Sequence, residues 1–349
     1  MNTGEDAMKR WTRRDFVARG SLAMAAAAGA GRVTAQQAAP SMMWGALLHM
    51  GVNSWSDVPV NSWGPFKGEQ LKLVCQADHL RFDEAVWQVL TARMQKAGMN
   101  LVVIDLAEAL QYESHPELAA KGAWPIERFR KELARLRAMG LEPIPKLNFS
   151  AAHDTWLKEY GRQVSTPAYY KVCADLIREV CAIFDRPRFF HLGYDEETAG
   201  HQAKYSIAII RQGELWWHDF MFFVKEVEKQ GVRPWIWSDY YWNHPEEFLN
   251  RMPKSVLQSN WYYGATFEPE KQKYVKTYLD LDKAGFEQVP AGSNWSNDVN
   301  FKGTVDFCRK NLASERLKGF LMAPWFFTLP EWQEKNLQAI AQVEACIKG

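Results

Sequence analysis

Two periods alternate along the chain. From about residue 44, short runs of β-branched and aromatic residues give way to longer stretches with apolar positions at helical spacing, and the cycle repeats eight times. The strand-like runs are 44–50, 101–106, 142–148, 188–193, 234–239, 256–261, 288–294 and 319–326. The helical stretches are 83–97, 125–139, 167–184, 203–230, 245–250, 270–284 and 301–313, and 330–347 closes the chain. Gly98, Gly140, Gly231 and Gly285 each follow a helical pattern and precede a strand, the position where a left-handed residue stops a helix. Repeated βα units predict an α/β fold with a parallel sheet, and eight of them predict a single (β/α)8 (TIM) barrel domain over 44–349. An open doubly wound sheet is the runner-up, but no Gly-x-Gly-x-x-Gly turn follows the first strand. The Trp-rich segment 51–79 reads as a βα loop over the barrel mouth, with a small packing subdomain as the alternative.

The first 35 residues follow a different rule. Lys9, Arg10, Arg13, Arg14 and Arg19 precede a small apolar run at 21–31, and Val33-Thr34-Ala35 is an Ala-x-Ala-like cleavage site. Arg13-Arg14 followed by Asp15-Phe16-Val17 resembles a twin-arginine (Tat) signal, whose passengers usually cross the membrane already folded. The expectation is a bacterial periplasmic or secreted protein that meets the Tat translocase during export, with 36–43 as a linker. No later stretch is long and apolar enough to anchor it stably in a bilayer.

Composition narrows the partners. At 47% hydrophobic and 24% charged residues, the chain is neither disordered nor collagen-like. Its 42 Lys and Arg balance 41 Asp and Glu with no basic block after the leader, so no nucleic-acid partner is expected. The 16 Trp, 12 Tyr and 19 Phe offer more ring surface than a core of this size takes, so part of it is expected to face a ligand. Cys75, Cys173, Cys181, Cys308 and Cys346 lack CxxC spacing. Cys173 and Cys181, on one predicted helix, stand about 12 Å apart, too far to bridge, and reduced thiols are expected.

A (β/α)8 barrel carries its chemistry at the C-terminal strand ends. Those ends hold His49 and Asn53, Asp105 and Glu108, Lys146 and Asn148, and Asp195 and Glu196 on the first four strands. The other four supply Trp237 and Asp239, Asn260 and Trp261, Asn294 and Trp295, and Trp325. Indole faces pack on the C–H faces of sugars while carboxylates and amides bind hydroxyls, so this ring predicts a carbohydrate substrate. The sharpest local signal is His191-Leu192-Gly193-Tyr194-Asp195-Glu196-Glu197. In a strand, successive side chains point to opposite faces, so Asp195 and Glu196 reach one cavity only if the backbone turns out of the strand there. Two such acids are the apparatus of glycosidic cleavage, whereas an Asp-Glu-Glu run can also serve as a solvated helix cap.

His191-Leu192-Gly193-Tyr194-Asp195-Glu196 resembles the His-x-Gly-Gly-Asp-Glu segment on strand four of family 20 glycoside hydrolases, the β-N-acetylhexosaminidases. The resemblance implies that Glu196 is the general acid. It implies too that Asp195 orients the substrate's 2-acetamido group, whose carbonyl oxygen attacks the anomeric carbon in place of an enzyme nucleophile. Trp237-Ser238-Asp239 is similar to the family's strand-five Trp and acid, and Trp261 and Trp325 to the tryptophans that wall its acetamido pocket. The chain departs from the pattern at Tyr194, which replaces the second Gly, and on strand one, where His49 and Asn53 stand without the family's Arg. Strand three reads Pro145-Lys146-Leu147-Asn148-Phe149 in place of Asp-x-Pro-Gly-His, and strand eight reads Trp325-Phe326-Phe327 in place of Trp-x-Glu. The α+β domain that often precedes the family barrel is not expected.

The residues therefore predict Asp195 and Glu196 as catalytic. His49, Asn53, Asp105, Lys146, Asn148, His153, His191, Tyr194, Trp237, Asp239, Trp261, Trp295 and Trp325 are expected to bind substrate, with no cofactor and no metal. For a sugar without an acetamido group, Asp239 or Asp105 would act as nucleophile or base. Two other classes stay open. A metal-dependent sugar isomerase or lyase would use His191, His153, Asp195, Glu108 and Asp239, although no ligand pair has helical His-x-x-x-His spacing. A non-catalytic sugar-binding barrel would keep the Trp rim alone. His79, His115, His201, His218 and His244 read as surface or satisfied residues, and Lys146 as an ion-pair partner for a rim carboxylate.

Overall fold

A parallel sheet wrapped by helices is buried on both faces, so its strands are apolar on both sides rather than on alternate residues. In a computed structural model, which describes residues 42–349, eight such strands form one sheet. They are β1 (Met43–His49), β2 (Leu101–Asp105), β3 (Glu142–Lys146), β4 (Phe189–His191), β5 (Arg233–Trp237), β6 (Leu257–Ser259), β7 (Ala291–Gly292) and β8 (Gly319–Met322). All pair in parallel in the order β6-β5-β4-β3-β2-β1-β8-β7. Single bridges Gln258 to Gln288 and Trp261 to Ala291 bring β6 against β7, which nearly closes the predicted (β/α)8 barrel. The expected leader and most of the linker lie outside the described residues.

Strand parity sorts the side chains. Trp44, Ala46, Leu48, Val102, Ile104 and Ile236 pack against residues of the surrounding helices. Met43, Leu47, Leu101, Val103, Ile144, Phe189, Trp235, Leu257 and Leu321 form a second cluster without helix residues, which is the barrel interior. Two residues further along this inward set come His49, Asp105, Lys146, His191 and Trp237, and two more reach Asn148, Asp239 and Trp261. The strand-end ring is thus two layers.

The helices are α1 (Glu84–Lys96), α2 (Ile126–Ala138), α3 (Pro167–Ile183), α4 (Ala199–Gln202), α5 (Gly213–Lys229), α6 (Pro245–Arg251), α7 (Lys273–Lys283), α8 (Asn300–Asn311) and α9 (Gln333–Lys348). Asp83 caps α1 through Val86 N–H, and Thr166 caps α3 ahead of Pro167. The four glycines expected to stop helices all have positive φ. The 203–230 expectation is too long by one segment. Glu197 accepts the Arg211 backbone N–H at 2.7 Å, and Gln202 accepts Ile209 N–H at 2.6 Å, so 203–212 is drawn into a loop. All five cysteines are free, and no described helix is long and apolar enough to cross a membrane.

Candidate active site

The strand-four turn is strained where the two acids leave the barrel. Gly193, Tyr194 and Glu196 have φ of 67°, 72° and 56°, which rotates the backbone so that both Asp195 and Glu196 line one cavity. A Cβ on Gly193 would stand 2.1 Å from Asn148 Oδ1, so only glycine fits there. Both neighbouring strands hold the turn. Asn148, beyond β3, accepts Tyr194 N–H at 3.1 Å and donates to Asp195 Oδ1 at 2.8 Å, and Ser150 Oγ donates to the Asp195 carbonyl at 2.5 Å. From the β5 side, Asp239 Oδ2 accepts Glu196 N–H at 2.9 Å.

The cavity encloses about 450 Å³ and is walled by Trp55, Trp63, Trp261, Tyr263, Trp295 and Trp325, with His153, His201, Lys204, Gly64, Gly200 and Ser296 completing it. Trp325 has φ of 61° and donates its indole N–H to Tyr263 Oη at 2.9 Å. Trp261 and Tyr263 stack at 5.1 Å, as do Trp55 and Trp63 at 6.2 Å. The predicted loop over the mouth is therefore present, and it also carries an apolar cluster in which Val52, Trp55, Phe66 and Val74 pack on Phe326, Phe327 and Trp332. It lies flat on Trp295 because Gly64, at φ of 50°, has no Cβ; one built there would meet the indole at 2.0 Å.

Charge inside the cavity is unevenly shared. His153 Nε2 lies 3.2 Å from Glu196 Oε2 and 3.5 Å from Asp195 Oδ2, and His201 Nδ1 lies 3.1 Å from the same Glu196 oxygen. Burial alone would strip the His153 proton, but Asp195 and Glu196 outweigh it and raise the imidazole to about 9. Burial pushes His201 down to about 4, against the pull of Glu196. Burial also opposes ionisation of Glu196, but the two imidazoles hold it below the usual carboxylate range. Burial and the neighbouring Asp195 raise Asp239 to about 8, so it is the protonated carboxyl of the group. At neutral pH the Glu196–His153 pair holds one proton between two heavy atoms.

Of the predicted site residues, His153, Asp195, Glu196, Trp261, Trp295 and Trp325 line the cavity. Asn148 and Asp239 sit behind it and fix its acids. His49, Asp105, Lys146, His191 and Trp237 are corrections: all are at most 2% exposed and occupy the barrel interior under the mouth. On β3, β4 and β5 the level of the acids is reached only two to four residues further on, at Asn148, Asp195 and Asp239. Asp105 is paired there with Lys146 at 2.7 Å, a buried partner and not the rim carboxylate expected for that lysine. The same burial removes Asp105 as an alternative nucleophile. Asn53 is a second correction. Its side chain closes the ends of the 51–79 loop, donating to the Ala77 carbonyl at 2.7 Å and accepting from Arg81 at 2.7 Å. Tyr194 is a third, because its strained φ turns the ring outward onto Trp216, Phe220 and Phe223 under Arg211.

His201, read as a surface or satisfied residue, is a cavity residue five positions after Glu196. α4 is too short to leave a periodic signal. Tyr263 was within reach of strand parity, being two residues beyond Trp261, and Trp55 and Trp63 belong to the segment already assigned to the mouth. Glu197 turns away from the cavity. It takes a bidentate grip from Arg211, at 2.8 and 2.6 Å, and Arg211 also reaches Asp219 at 3.2 Å.

No family model matches the sequence, and no curated protein matches it. Solved structures do. A GH20 exo-β-N-acetylglucosaminidase from Vibrio harveyi, in complex with N-acetylglucosamine, superposes with a TM-score of 0.60 at 14% identity over 88% of this chain and 55% of its own. The fold resembles the GH20 hexosaminidase barrel. A Streptomyces plicatus β-hexosaminidase in complex with its product GlcNAc gives a TM-score of 0.57 at 14% identity, over 87% of this chain and 64% of its own. Dispersin B gives 0.53 at 14% identity, over 77% of this chain and 96% of its own. The chain thus spans less than two thirds of the first two enzymes.

Proposed function

We propose that this protein is an exported glycoside hydrolase of the β-N-acetylhexosaminidase type. The observation that carries the reading is the convergence of Asp195 and Glu196 on one cavity walled by stacked aromatic rings. Glu196 donates a proton to the leaving glycosidic oxygen as the C–O bond breaks. Asp195, fixed by Asn148 and Ser150, holds the 2-acetamido N–H so that the amide carbonyl oxygen attacks the anomeric carbon from the opposite face. Glu196, now a carboxylate, takes a proton from the water that opens the resulting ring. Before the first step the proton of the pair rests toward His153 and passes to the leaving oxygen through Glu196, and the proton taken from water restores it. Trp261, Trp325 and Tyr263 supply the apolar surface for the sugar, and the aromatic loop residues Trp55 and Trp63 extend it.

The experiment is a panel of chromogenic glycosides with and without a 2-acetamido group, assayed with and without chelator. Turnover confined to the acetamido glycosides supports the assisted route, and turnover of the others means that the acetamido oxygen is not the nucleophile. Glu196→Gln should lower turnover at least about a hundredfold while sparing glycoside binding. Equal activity in variant and wild type removes Glu196 from the role.

A further inference from the structure

Three side chains of the cavity wall converge on one point from two separate loops. His153 follows β3, while Glu196 and His201 follow β4, and their donor atoms all lie within 4.8 Å of one another. His153 Nε2 and His201 Nδ1 stand 3.2 and 3.1 Å from the shared Glu196 oxygen. Donors bonded at about 2.0–2.1 Å to one tetrahedral ion are separated by about 3.3 Å, so little movement is needed to accept one.

The outer sides of both rings carry the second observation. His153 Nδ1 lies 3.3 Å from the Ser54 carbonyl, which can only accept, so the hydrogen of the neutral ring sits on Nδ1 and the lone pair on Nε2. Tyr205 Oη donates to the Ala152 carbonyl at 2.7 Å and so accepts from His201 Nε2 at 3.1 Å, which leaves the His201 lone pair on Nδ1. Each ring is fixed by a bond on its far side, so that the other nitrogen faces the same point, bare in His201 and bared in His153 when the ion displaces the proton it shares with Glu196. Histidines that bind metals are oriented in this way. Asp195 Oδ2, 3.5 Å from His153 Nε2, stands beside the three donors without joining them.

We infer that His153, Glu196 and His201, with a water in the fourth position, bind one divalent transition-metal ion of the zinc kind. Two imidazoles and one carboxylate oxygen suit such an ion better than calcium or magnesium. The consequence for catalysis rests on the hydrolase reading above: an ion on the Glu196 oxygen occupies the atom that carries the proton. Metal and glycoside therefore exclude each other, and the ion acts as an inhibitor removed by chelation.

The test is titration of the chelator-treated protein with Zn²⁺ by calorimetry, and with Co²⁺ by its visible absorption. One ion per chain is expected in wild type, with a tetrahedral-type cobalt spectrum. His201→Ala and His201→Gln, each checked for native circular dichroism, should bind at least about thirtyfold more weakly, while His218→Ala, altered at an exposed ring, should bind as wild type does. Absence of stoichiometric binding in wild type, or equal affinity in the folded His201 variants, overturns the site. These titrations contain no sugar, so they stand if no glycoside is ever turned over. Where a glycoside is turned over, Zn²⁺ should raise KM without lowering kcat, and stimulation by Zn²⁺ overturns the exclusion.

Discussion

The backbone N–H of Glu196 donates to Oδ2 of Asp239 at 2.9 Å, which ties the strained end of β4 to the end of β5. The residue with the unfavourable φ is thus held by its neighbour strand and not by its own. Trp261 adds its indole N–H to the other Asp239 oxygen at 3.4 Å, so one carboxyl group sets both the acid turn and an aromatic wall. Backbone strain at this point persists because surrounding bonds over-determine it.

Removing that acceptor should therefore act through position. Asp239→Ala leaves the Glu196 N–H without its partner, and kcat/KM should fall about ten- to a hundredfold, the cost of one unsatisfied buried donor. Asp239→Asn keeps a carbonyl oxygen of the same reach and should recover most of the loss. Steady-state kinetics on the two variants decide it, and equal activity of Ala and Asn would break the link.

Glu197, the third acid of the run, is expected to matter for stability alone. Arg211 is buried between Glu197 and Asp219, and loss of one partner strands its charge at a cost of about 3–5 kcal/mol. Glu197→Gln should lower Tm by about 5–10 °C while kcat at 25 °C stays within about threefold of wild type. A calorimetric melt beside an assay separates the effects. A large fall in kcat with an unchanged Tm would assign Glu197 to the chemistry.

Much of this was legible in the sequence, and the limit has a physical origin. The eight βα repeats, the helix stops and the outward turn at Asp195 and Glu196 are local patterns, and each appears in the fold. Depth in the barrel is not local. His49 and Trp325 both take inward positions at the tops of neighbouring strands, yet His49 is buried while Trp325 lines the cavity, because depth depends on which surrounding strands and loops continue past a residue. Tyr194 departs from the expectation for a different reason, since a single positive φ reverses the face that alternation assigns. Asn53 and His201 lie on connections whose course depends on tertiary bonds to Ala77, Arg81 and Tyr205.

Export should depend on the paired arginines of the leader. Replacing Arg13 and Arg14 together by Lys keeps the charge but removes the pair a twin-arginine receptor reads. In a bacterial host with a functional Tat pathway, cell fractionation should find the wild-type chain in the periplasm or medium and the variant in the cytoplasm. Export of both chains alike would reassign the leader to the general secretory route.

Acid should weaken the barrel through Asp105 and Lys146. Burial opposes ionisation of Asp105, but Lys146 at 2.7 Å and His49 at 3.3 Å pull the carboxyl down to about 2 from 3.8. A carboxyl depressed in the folded state stabilises it fully above its unfolded value, and the contribution fades as pH falls from about 4 through about 2. The shift corresponds to stabilisation on the order of 2 kcal/mol at neutral pH. Asp105→Asn lacks that ionisation and leaves Lys146 without its counter-charge at every pH. Urea unfolding of both proteins from pH 7 down to pH 3 should show wild type clearly more stable at pH 7. The gap should hold constant to about pH 4 and narrow below it, because protonated Asp105 and Asn present the same neutral group to Lys146. A gap that stays constant to pH 3, or widens, would mean that the ion pair does not hold the interior of the barrel.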